Sequence, residues 1–232
     1  MDYCRENDIT VCNSSGYANQ AVAELVIGFI IAINRGLVEG NQAVREGRTG
    51  ENFTGQELKG KKLGIIGTGA IGTRVARLAE AFDCRLLAYS KSQSKEALEL
   101  GVKYVSFETL LKESDIITIH VPLLEETINL IAEKELAMMK DSCIVINAAR
   151  GPIIDSQALA SALKNEEIAG AGVDVFEMEP PIPRDHPLLQ APNLIATPHI
   201  GFATREAFQE RAELVFANIE KWLAGDPQNV MN

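Results

Sequence analysis

Short apolar runs alternate with segments of helical period along most of this 232-residue chain. Each run has the length of a buried strand, and in the segment that follows it the apolar residues recur every three or four positions. This alternation predicts an α/β fold, in which a doubly wound parallel sheet carries helices on both faces. The predicted strands are residues 62–67, 84–89, 102–105, 115–120, 142–147, 169–174 and 194–196.

An incomplete N-terminal segment and an apolar helix precede this alternating region. Residues 1–18 offer a fragment of helix and a short strand at 9–13, which is a poor start for a domain. Asn19 is predicted to cap a helix over about residues 20–35, which is apolar on most sides and therefore expected to be buried. Its most apolar window, 21–33, is too short to span a membrane, so no membrane partner is expected.

The remaining residues outside the strands predict connections and a closing helix. Residues 36–60 are polar and rich in glycine, which indicates a short helix followed by a surface connection. A final helix is predicted over about residues 205–223. We therefore divide the chain into residues 1–18, residues 19–201 as the alternating unit, and residues 202–232.

Three spaced glycines follow the first predicted strand, and a helical segment follows the glycines. Gly67 is expected to permit a tight turn, Gly69 to let a pyrophosphate approach the backbone, and Gly72 to let helix and strand pack closely. The helix N-terminus, at Ala70 and Ile71, then faces the anion. Because strand, glycines and helix occur in this order, we interpret the stretch as a nucleotide-binding turn rather than a glycine-rich turn without a ligand.

Composition narrows the range of partners and compartments. The chain has 22 basic and 32 acidic residues and a net charge of −10, with no basic cluster to offer a phosphate backbone, so nucleic acid is excluded as the expected partner. The N-terminus lacks the basic and apolar regions of a signal peptide. The cysteines have no CxxC spacing, so we expect neither a metal site nor disulfides, and a reducing cytoplasm is the default location. They are Cys4, Cys12, Cys84 and Cys143.

Polar residues stand where the predicted strands end, and in parallel sheets these carboxyl ends surround the ligand. The strand-end residues are Gly67, Ser90, His120, Asn147, Asp174 and Thr197. Of the three histidines, His199 follows a strand and a proline on a stiffened loop, where a catalytic and a structural role are equally open. His186 is expected to lie in a surface turn and to be structural.

Charged side chains follow two of these strands. Arg150 comes just after strand 142–147, where its planar guanidinium suits a substrate carboxylate, although a salt bridge or a helix-end contact fits equally well. Asp174 ends the next strand, and Glu179 follows in a loop fixed by two prolines. A carboxylate beside a histidine stabilises the imidazolium and keeps a proton available at neutral pH. A solvated acidic loop explains Glu177 better than it explains Glu179.

Five segments occur together in one order: 67–72, 120–123, 147–151, 174–180 and 197–201. Together they are similar to the D-isomer-specific 2-hydroxyacid dehydrogenase family, and the likeness extends over about residues 2–232. The resemblance implies a Rossmann-like dinucleotide-binding domain at 19–201, with residues 1–18 as a remnant of a second, substrate domain and residues 202–232 as a C-terminal helix that returns toward it. It also implies an oxidoreductase that transfers a hydride between NAD or NADP and a D-2-hydroxy acid or its 2-oxo acid.

The resemblance assigns roles to individual residues. It implies that Arg150 binds the substrate, that His199 is the acid/base and that Glu179 is the carboxylate partner of His199. His199 would protonate the keto oxygen as hydride arrives. Thr118, Val121 and Pro122 would form a wall of the cofactor site. The cofactor contacts that we expect are Gly67, Gly69, Ala70, Ile71, Gly72, Ser90, Lys91, His120, Val121, Pro122, Ala148, Ala149, Arg150, Asp174, His199 and Gly201.

Two departures from the family's pattern modify these expectations. No acidic residue ends strand 84–89, where Ser90, Lys91 and Ser92 suit a 2′-phosphate, so we hypothesise a mixed or NADP-leaning preference. The family builds its substrate domain mostly from sequence that precedes the apolar helix, so only a remnant is expected here. For the 232 residues alone we therefore expect weak or absent turnover with cofactor binding retained.

The main alternative is a non-enzymic NAD(H)-binding regulatory module, similar to the family's corepressors, or an isolated cofactor-domain fragment. The presence of Arg150, Glu179 and His199 favours the enzyme, and a variant without Arg150 distinguishes the two. A methyltransferase with a glycine-rich loop fits neither the histidine nor the arginine segment. The small-molecule substrate stays open among lactate, glycerate, phosphoglycerate and longer 2-hydroxy acids, and the resemblance implies a homodimer.

Overall fold

The computed structural model describes residues 1–49, 53–178 and 181–232. Its centre is a seven-stranded sheet in which every neighbouring pair is parallel. The strands lie where the apolar runs predict them, within two residues at each end. They are β1 (Lys62–Ile66), β2 (Arg85–Tyr89), β3 (Lys103–Tyr104), β4 (Ile116–Ile119), β5 (Ile144–Asn147), β6 (Gly170–Val173) and β7 (Leu194–Ala196).

The strand order, β3-β2-β1-β4-β5-β6-β7, reverses direction between β1 and β4. The strand ends are level with one another, because Ile66 pairs with Tyr89 and Ile119, and Asn147 pairs with Ile119 and Val173. The residues that follow these strands therefore lie along one edge of the sheet. In such folds a ligand binds at this edge, at the point where the strand order reverses.

Helices cover both faces of the sheet. They are α1 (Asp2–Glu6), α2 (Asn19–Asn34), α3 (Leu37–Arg45), α4 (Ala70–Glu80), α5 (Lys95–Glu99), α6 (Phe107–Glu113), α7 (Glu133–Leu136), α8 (Ser156–Lys164) and α9 (Arg205–Leu223). Residues of α6, α7 and α8 share one apolar cluster with Val145 of β5, and residues of α2, α4 and α5 share the other with Ile144 and Ile146. The doubly wound fold is thus confirmed, because successive strand residues face opposite layers.

The N-terminal segment differs from its prediction. In place of a strand over 9–13, only Cys12 pairs, in an isolated antiparallel bridge with Val230 of the C-terminal tail. The tail leaves the extended conformation at Asn229, which has φ of 54°. The side-chain amide of Asn218, on α9, donates to the Asn13 carbonyl over 2.9 Å and joins the N-terminal segment to that helix. The division of the chain into three parts stays a prediction.

The apolar helix α2 begins one residue earlier than predicted. The carbonyl of Ala18 already accepts the N–H of Val22 over 3.0 Å, so Ala18 occupies the N-cap and no side chain caps the helix. The prediction that Asn19 caps the helix is therefore wrong. The prediction of a buried helix is confirmed, since seven of its residues are buried, among them Phe29 and Ile30.

No single described helix is long and apolar enough to cross a membrane. Helices α2 and α3 reach the length and apolar composition of a membrane span only when they are taken together, and the pair is bent by 58°. The presence of α3 confirms the short helix predicted within residues 36–60, of which 50–52 lie outside the described residues.

Candidate active site

The turn between β1 and α4 has the shape that its glycines predict. Gly67 has φ of 94°, a conformation that residues with a side chain rarely adopt. A Cβ at Gly72 would lie 2.0 Å from the Gly67 carbonyl oxygen, so any side chain there would separate α4 from the turn. The glycines therefore bring the N-terminus of α4 directly to the end of β1.

The N-terminus of α4 is open to a ligand. Gly69 is its N-cap, and a Cβ added there would meet nothing within 4 Å. The first N–H groups of a helix have no acceptor within the helix and form its positive end, so they bind phosphate groups readily. The residues present therefore fit a dinucleotide pyrophosphate, which Ala70 and Ile71 would bind through their N–H groups.

The loop after β2 is held against the glycine turn. Ser90 Oγ accepts the Thr68 N–H over 3.4 Å, and Thr68 Oγ1 lies 2.8 Å from the Tyr104 hydroxyl. Lys91 points elsewhere: its Nζ lies 2.5 Å from Oε1 of Glu126, in the turn after β4. The sequence predicts Lys91 at this edge but not its carboxylate partner, which is 35 residues away in the chain.

His120 stands at the end of β4 as a neutral ring. Burial lowers the pKa of its imidazole to about 3. The ring Nε2 lies 2.9 Å from Oγ1 of Thr118, which is fully buried. Thr118 is thus buried behind this ring and does not line the cleft that His120 borders. Because the pKa of His120 is lowered so far, its ring is poorly suited to give up a proton at neutral pH.

The turn that carries Arg150 is closed by the buried side chain of Asn147. Oδ1 of Asn147 accepts the Ala149 N–H, and its Nδ2 donates to the Arg150 carbonyl, each over 3.0 Å. The Arg150 guanidinium is exposed, and Nη1 donates to the Ala149 carbonyl over 2.6 Å. Within the described residues no carboxylate pairs with Arg150, so its charge is available to an anionic ligand. The sequence places Asn147 at a strand end but does not predict this bracing.

The turn that carries His199 is held by Asp174. His199 has φ of 55°, and its N–H donates to the Asp174 carbonyl over 2.8 Å. The Asp174 carboxylate accepts the N–H groups of Ile200 and Gly201, over 2.8 and 2.7 Å, and the hydroxyl of Thr197. Asp174 is only 1% exposed, so these donors replace the water that it loses on folding.

His186 is not in a surface turn, as predicted, but is buried at 4% exposure. Its Nδ1 accepts the Leu188 N–H over 3.3 Å, and its Nε2 lies 3.0 Å from Oε1 of Glu177. A proton on Nε2 satisfies both contacts, because Nε2 then donates and Nδ1 accepts. The ring lies edge-on to Phe176, with ring centroids 5.2 Å apart. Residues 176–177 bury this histidine. The charged residues just before it in the sequence, Arg184 and Asp185, give no indication of that burial.

Glu177 is not a freely solvated carboxylate either. Besides His186, it binds Ser156, whose Oγ donates to Oε2 over 2.8 Å. Burial raises the pKa of Glu177, but hydrogen bonds, among them those from Ser156 and His186, together lower it by more. The net shift of the pKa is therefore downward. Glu179, the predicted carboxylate partner of His199, lies outside the described residues.

A cleft of about 680 Å³ opens along this edge of the sheet. Ten predicted site residues line it: Ile71, His120, Val121, Pro122, Ala148, Ala149, Arg150, Asp174, His199 and Gly201. Six others, Gly67, Gly69, Ala70, Gly72, Ser90 and Lys91, lie beyond it around the β1–α4 turn and the β2 end. The sequence does not predict the opposite side of the cleft, which residues 14–19 and Phe202 form. Such a lining comes from segments distant in sequence, so no local pattern indicates it.

Comparison with known proteins adds to this geometry. Residues 27–201 match the family described as "D-isomer specific 2-hydroxyacid dehydrogenase, NAD binding domain". This chain belongs to that family. It is 44% identical over 242 residues to the glyoxylate reductase of Thermococcus litoralis, across the whole chain and 72% of that enzyme.

Two solved structures are similar to the chain along nearly its full length. One is the D-lactate dehydrogenase of Aquifex aeolicus in complex with NAD and lactic acid, at 32% identity and a TM-score of 0.90, covering 97% of this chain and 72% of that one. The other is an acyclic imino acid reductase in complex with NADPH and D-Arg, at 34% identity and a TM-score of 0.90, covering 100% and 74%. The chain is thus a member of an NAD(P)-dependent oxidoreductase family and contains its NAD-binding domain. Its cofactor is NAD or NADP.

Proposed function

We propose that this chain reduces a small 2-oxo acid, with Arg150 as the substrate-binding residue and His199 as the acid/base. One observation carries the proposal: the turns that bear Arg150 and His199 border the same cleft as Val121 and Pro122 of the proposed cofactor wall. A carboxylate ligand, a reducible carbonyl and a nicotinamide ring would meet there. The two turns follow β5 and β7, on either side of β6.

The chemistry follows from what each side chain can hold. The Arg150 guanidinium pairs with the substrate carboxylate and stabilises the negative charge that develops on the carbonyl oxygen. The nicotinamide, when bound, supplies a hydride to C2. As the C–H bond forms, the carbonyl electron pair moves onto oxygen, and the His199 imidazolium gives that oxygen its proton. In oxidation His199 takes the hydroxyl proton instead, and Glu179 is proposed to stabilise the protonated ring.

Substitution of Arg150 tests this assignment. With glyoxylate and NADH as probes, we expect Arg150→Gln to lower kcat/KM about 100-fold or more, because charge stabilisation is lost, while the Kd for NADH changes less than about 3-fold. Arg48→Gln is the control, since Arg48 is an exposed arginine that is ion-paired with Glu46 and does not line the cleft. A measurable rate of glyoxylate reduction that is equal in Arg150→Gln and wild type would contradict the proposed role.

The second candidate is a non-enzymic NAD(H)-binding module. The open N-terminus of α4 supports it, because this feature binds a cofactor whether or not a reaction follows. Tight NADH binding, with a rate of 2-oxo acid reduction that Arg150→Gln leaves unchanged, would favour this module. For the 232 residues alone, weak or absent turnover stays our prediction, and robust turnover would contradict it.

The finer identity of substrate and cofactor is also a proposal. The similar proteins are named glyoxylate reductase and D-lactate dehydrogenase, which supports a small 2-oxo acid such as glyoxylate as the substrate. The neighbours in complex with NAD and with NADPH support acceptance of both cofactors. Kinetics with NADH and NADPH, and with 2-oxo acids of increasing length, would measure both preferences.

Assembly and location complete the proposal. We propose a homodimer formed through the cofactor domain, which is supported by the exposed apolar side chains of Leu37, Val38 and Val44 on α3. Light scattering of the purified chain would measure its mass in solution. A cytoplasmic location is proposed on the cysteine pattern, and the four cysteines form no disulfide in the structure.

A further inference from the structure

An ion pair crosses the sheet edge above the glycine turn. Lys91 lies two residues beyond β2, and Glu126 lies in the short turn Glu125–Thr127 beyond β4. Since β2 and β4 are the two neighbours of β1, their contact passes over the carboxyl end of β1. Lys91 Nζ and Glu126 Oε1 are 2.5 Å apart, which is a charge-assisted contact.

The pair holds the one cation of the β2 loop on the turn after β4. The Ser90 hydroxyl faces the Thr68 N–H, and the Ser92 carbonyl accepts the Thr68 hydroxyl over 3.4 Å, so the loop backbone is fixed on the turn. In this fold the residue at the end of β2 binds the adenosine ribose. A 2′-phosphate would therefore meet the Ser90 hydroxyl, while Lys91 is already bound to a carboxylate.

Glu126 is negatively charged at neutral pH. The hydrogen bond and the charge of Lys91 lower the pKa of its carboxyl group, and burial opposes this shift only weakly. A phosphate monoester carries close to two negative charges at neutral pH. To bind it, Lys91 would have to leave Glu126, and the charge-assisted contact between the two would be lost.

We propose that Glu126 is a specificity-determining residue that disfavours NADPH relative to NADH, because it pairs with Lys91 and so keeps that cation from a 2′-phosphate. The inference rests on the proposed function only in that the chain binds a nicotinamide dinucleotide. It modifies the NADP-leaning hypothesis from the sequence, because the cation that would bind the phosphate is present but neutralised. NADH has no 2′-phosphate for Lys91 to bind, so its affinity does not depend on this pair.

Binding measurements on the chain test the proposal without requiring turnover. The Kd values of NADH and NADPH are measured by nucleotide fluorescence for wild type and Glu126→Gln, which keeps the shape of the side chain and removes its charge. We expect Glu126→Gln to bind NADPH about 5-fold more tightly and NADH within about 2-fold of wild type, an effect of the size of an exposed charge contact. The gain should shrink in about 0.5 M salt, because exposed charges are screened.

Two further variants show whether Lys91 is responsible. Glu125→Gln removes the adjacent charge on the same turn, and no described lysine or arginine pairs with Glu125, so we expect less than about a 2-fold change in the NADPH to NADH affinity ratio. In a Lys91→Ala background, Glu126→Gln should gain less than about 2-fold for NADPH, because no cation is released.

Three results would overturn the inference. They are an unchanged affinity ratio in Glu126→Gln, an equal gain from Glu125→Gln, or a gain that persists without Lys91. Failure of the wild type to bind either nucleotide would instead contradict the proposed function.

Discussion

The Asp174 carboxylate holds the turn that presents His199. We therefore expect its loss to lower the free energy of unfolding, which can be measured without an activity assay. The substitution Asp174→Asn would keep one oxygen and replace the other with an NH₂ group. The carboxylate of wild type accepts the N–H groups of Ile200 and Gly201 on different oxygens. In Asp174→Asn, one of these N–H groups, of which that of Gly201 is buried, would therefore face another donor.

The size of the effect follows from these bonds. A buried N–H without an acceptor costs about 1–3 kcal/mol, and the remaining bonds lose the extra strength of a charged acceptor. The left-handed conformation of His199 is itself strained by about 1–3 kcal/mol and depends on the bonds around it. We expect Asp174→Asn to lower the free energy of unfolding by about 3 kcal/mol, which lowers Tm by about 6–12 °C in a chain of this length.

Denaturant unfolding followed by circular dichroism measures the change. The midpoints of two variants are compared only if the free energy of unfolding falls with denaturant concentration at the same slope in both. Asp155→Asn is a matched control: Asp155 caps α8 through a single oxygen that accepts two N–H groups, and asparagine caps helices equally well. We expect this variant to unfold within about 0.5 kcal/mol of wild type. If Asp174→Asn and Asp155→Asn unfold at the same midpoint, the bonds of Asp174 do not hold the His199 turn as argued.

Two further predictions concern the neighbouring turns. A Cβ in Gly151→Ala would lie 2.0 Å from the Phe176 carbonyl carbon and 2.3 Å from the Glu177 nitrogen. Because these backbone atoms cannot move without disturbing the fold, we expect Gly151→Ala to lower the free energy of unfolding by about 3 kcal/mol and to remove most 2-oxo acid reduction. Wild-type values of both quantities would show that the turns are not in contact. Folded His120 has its pKa lowered to about 3 by burial, while the unfolded residue titrates near 6.5, so the unfolded state takes up a proton that the folded state refuses as pH falls between these values. The contribution of His120 to stability is therefore fully present above about pH 6.5. Between about pH 6.5 and 4.5, the free energy of unfolding of wild type should fall by about 1–3 kcal/mol relative to that of His120→Gln. If the free energies of the two proteins change in parallel with pH, this prediction is wrong.

The sequence predicts the strands well because their signal is local. A run such as 115–120 is apolar because both faces of its strand are covered, and the strand found is Ile116–Ile119. The error at Asn19 is also local, since the helix signal does not distinguish a cap from the first helical residue. The burial of His186 is not local: its neighbours in sequence are polar, and Phe176 and Glu177 bury it from another segment.

The contacts between turns explain why the reaction end and the cofactor end of this edge can be treated separately. The turns after β5, β6 and β7 support one another, because Gly151 lies directly on the backbone at 176–177 and Asp174 binds the His199 turn. The loops after β1 and β2 are linked instead through Thr68, and the loop after β2 is linked to that after β4 by Lys91 and Glu126. A change of charge at Glu126 should therefore alter the choice between NADH and NADPH and leave the positions of Arg150 and His199 unchanged. If the two ends are separate in this way, Glu126→Gln and wild type should have equal kcat values for 2-oxo acid reduction with saturating NADH.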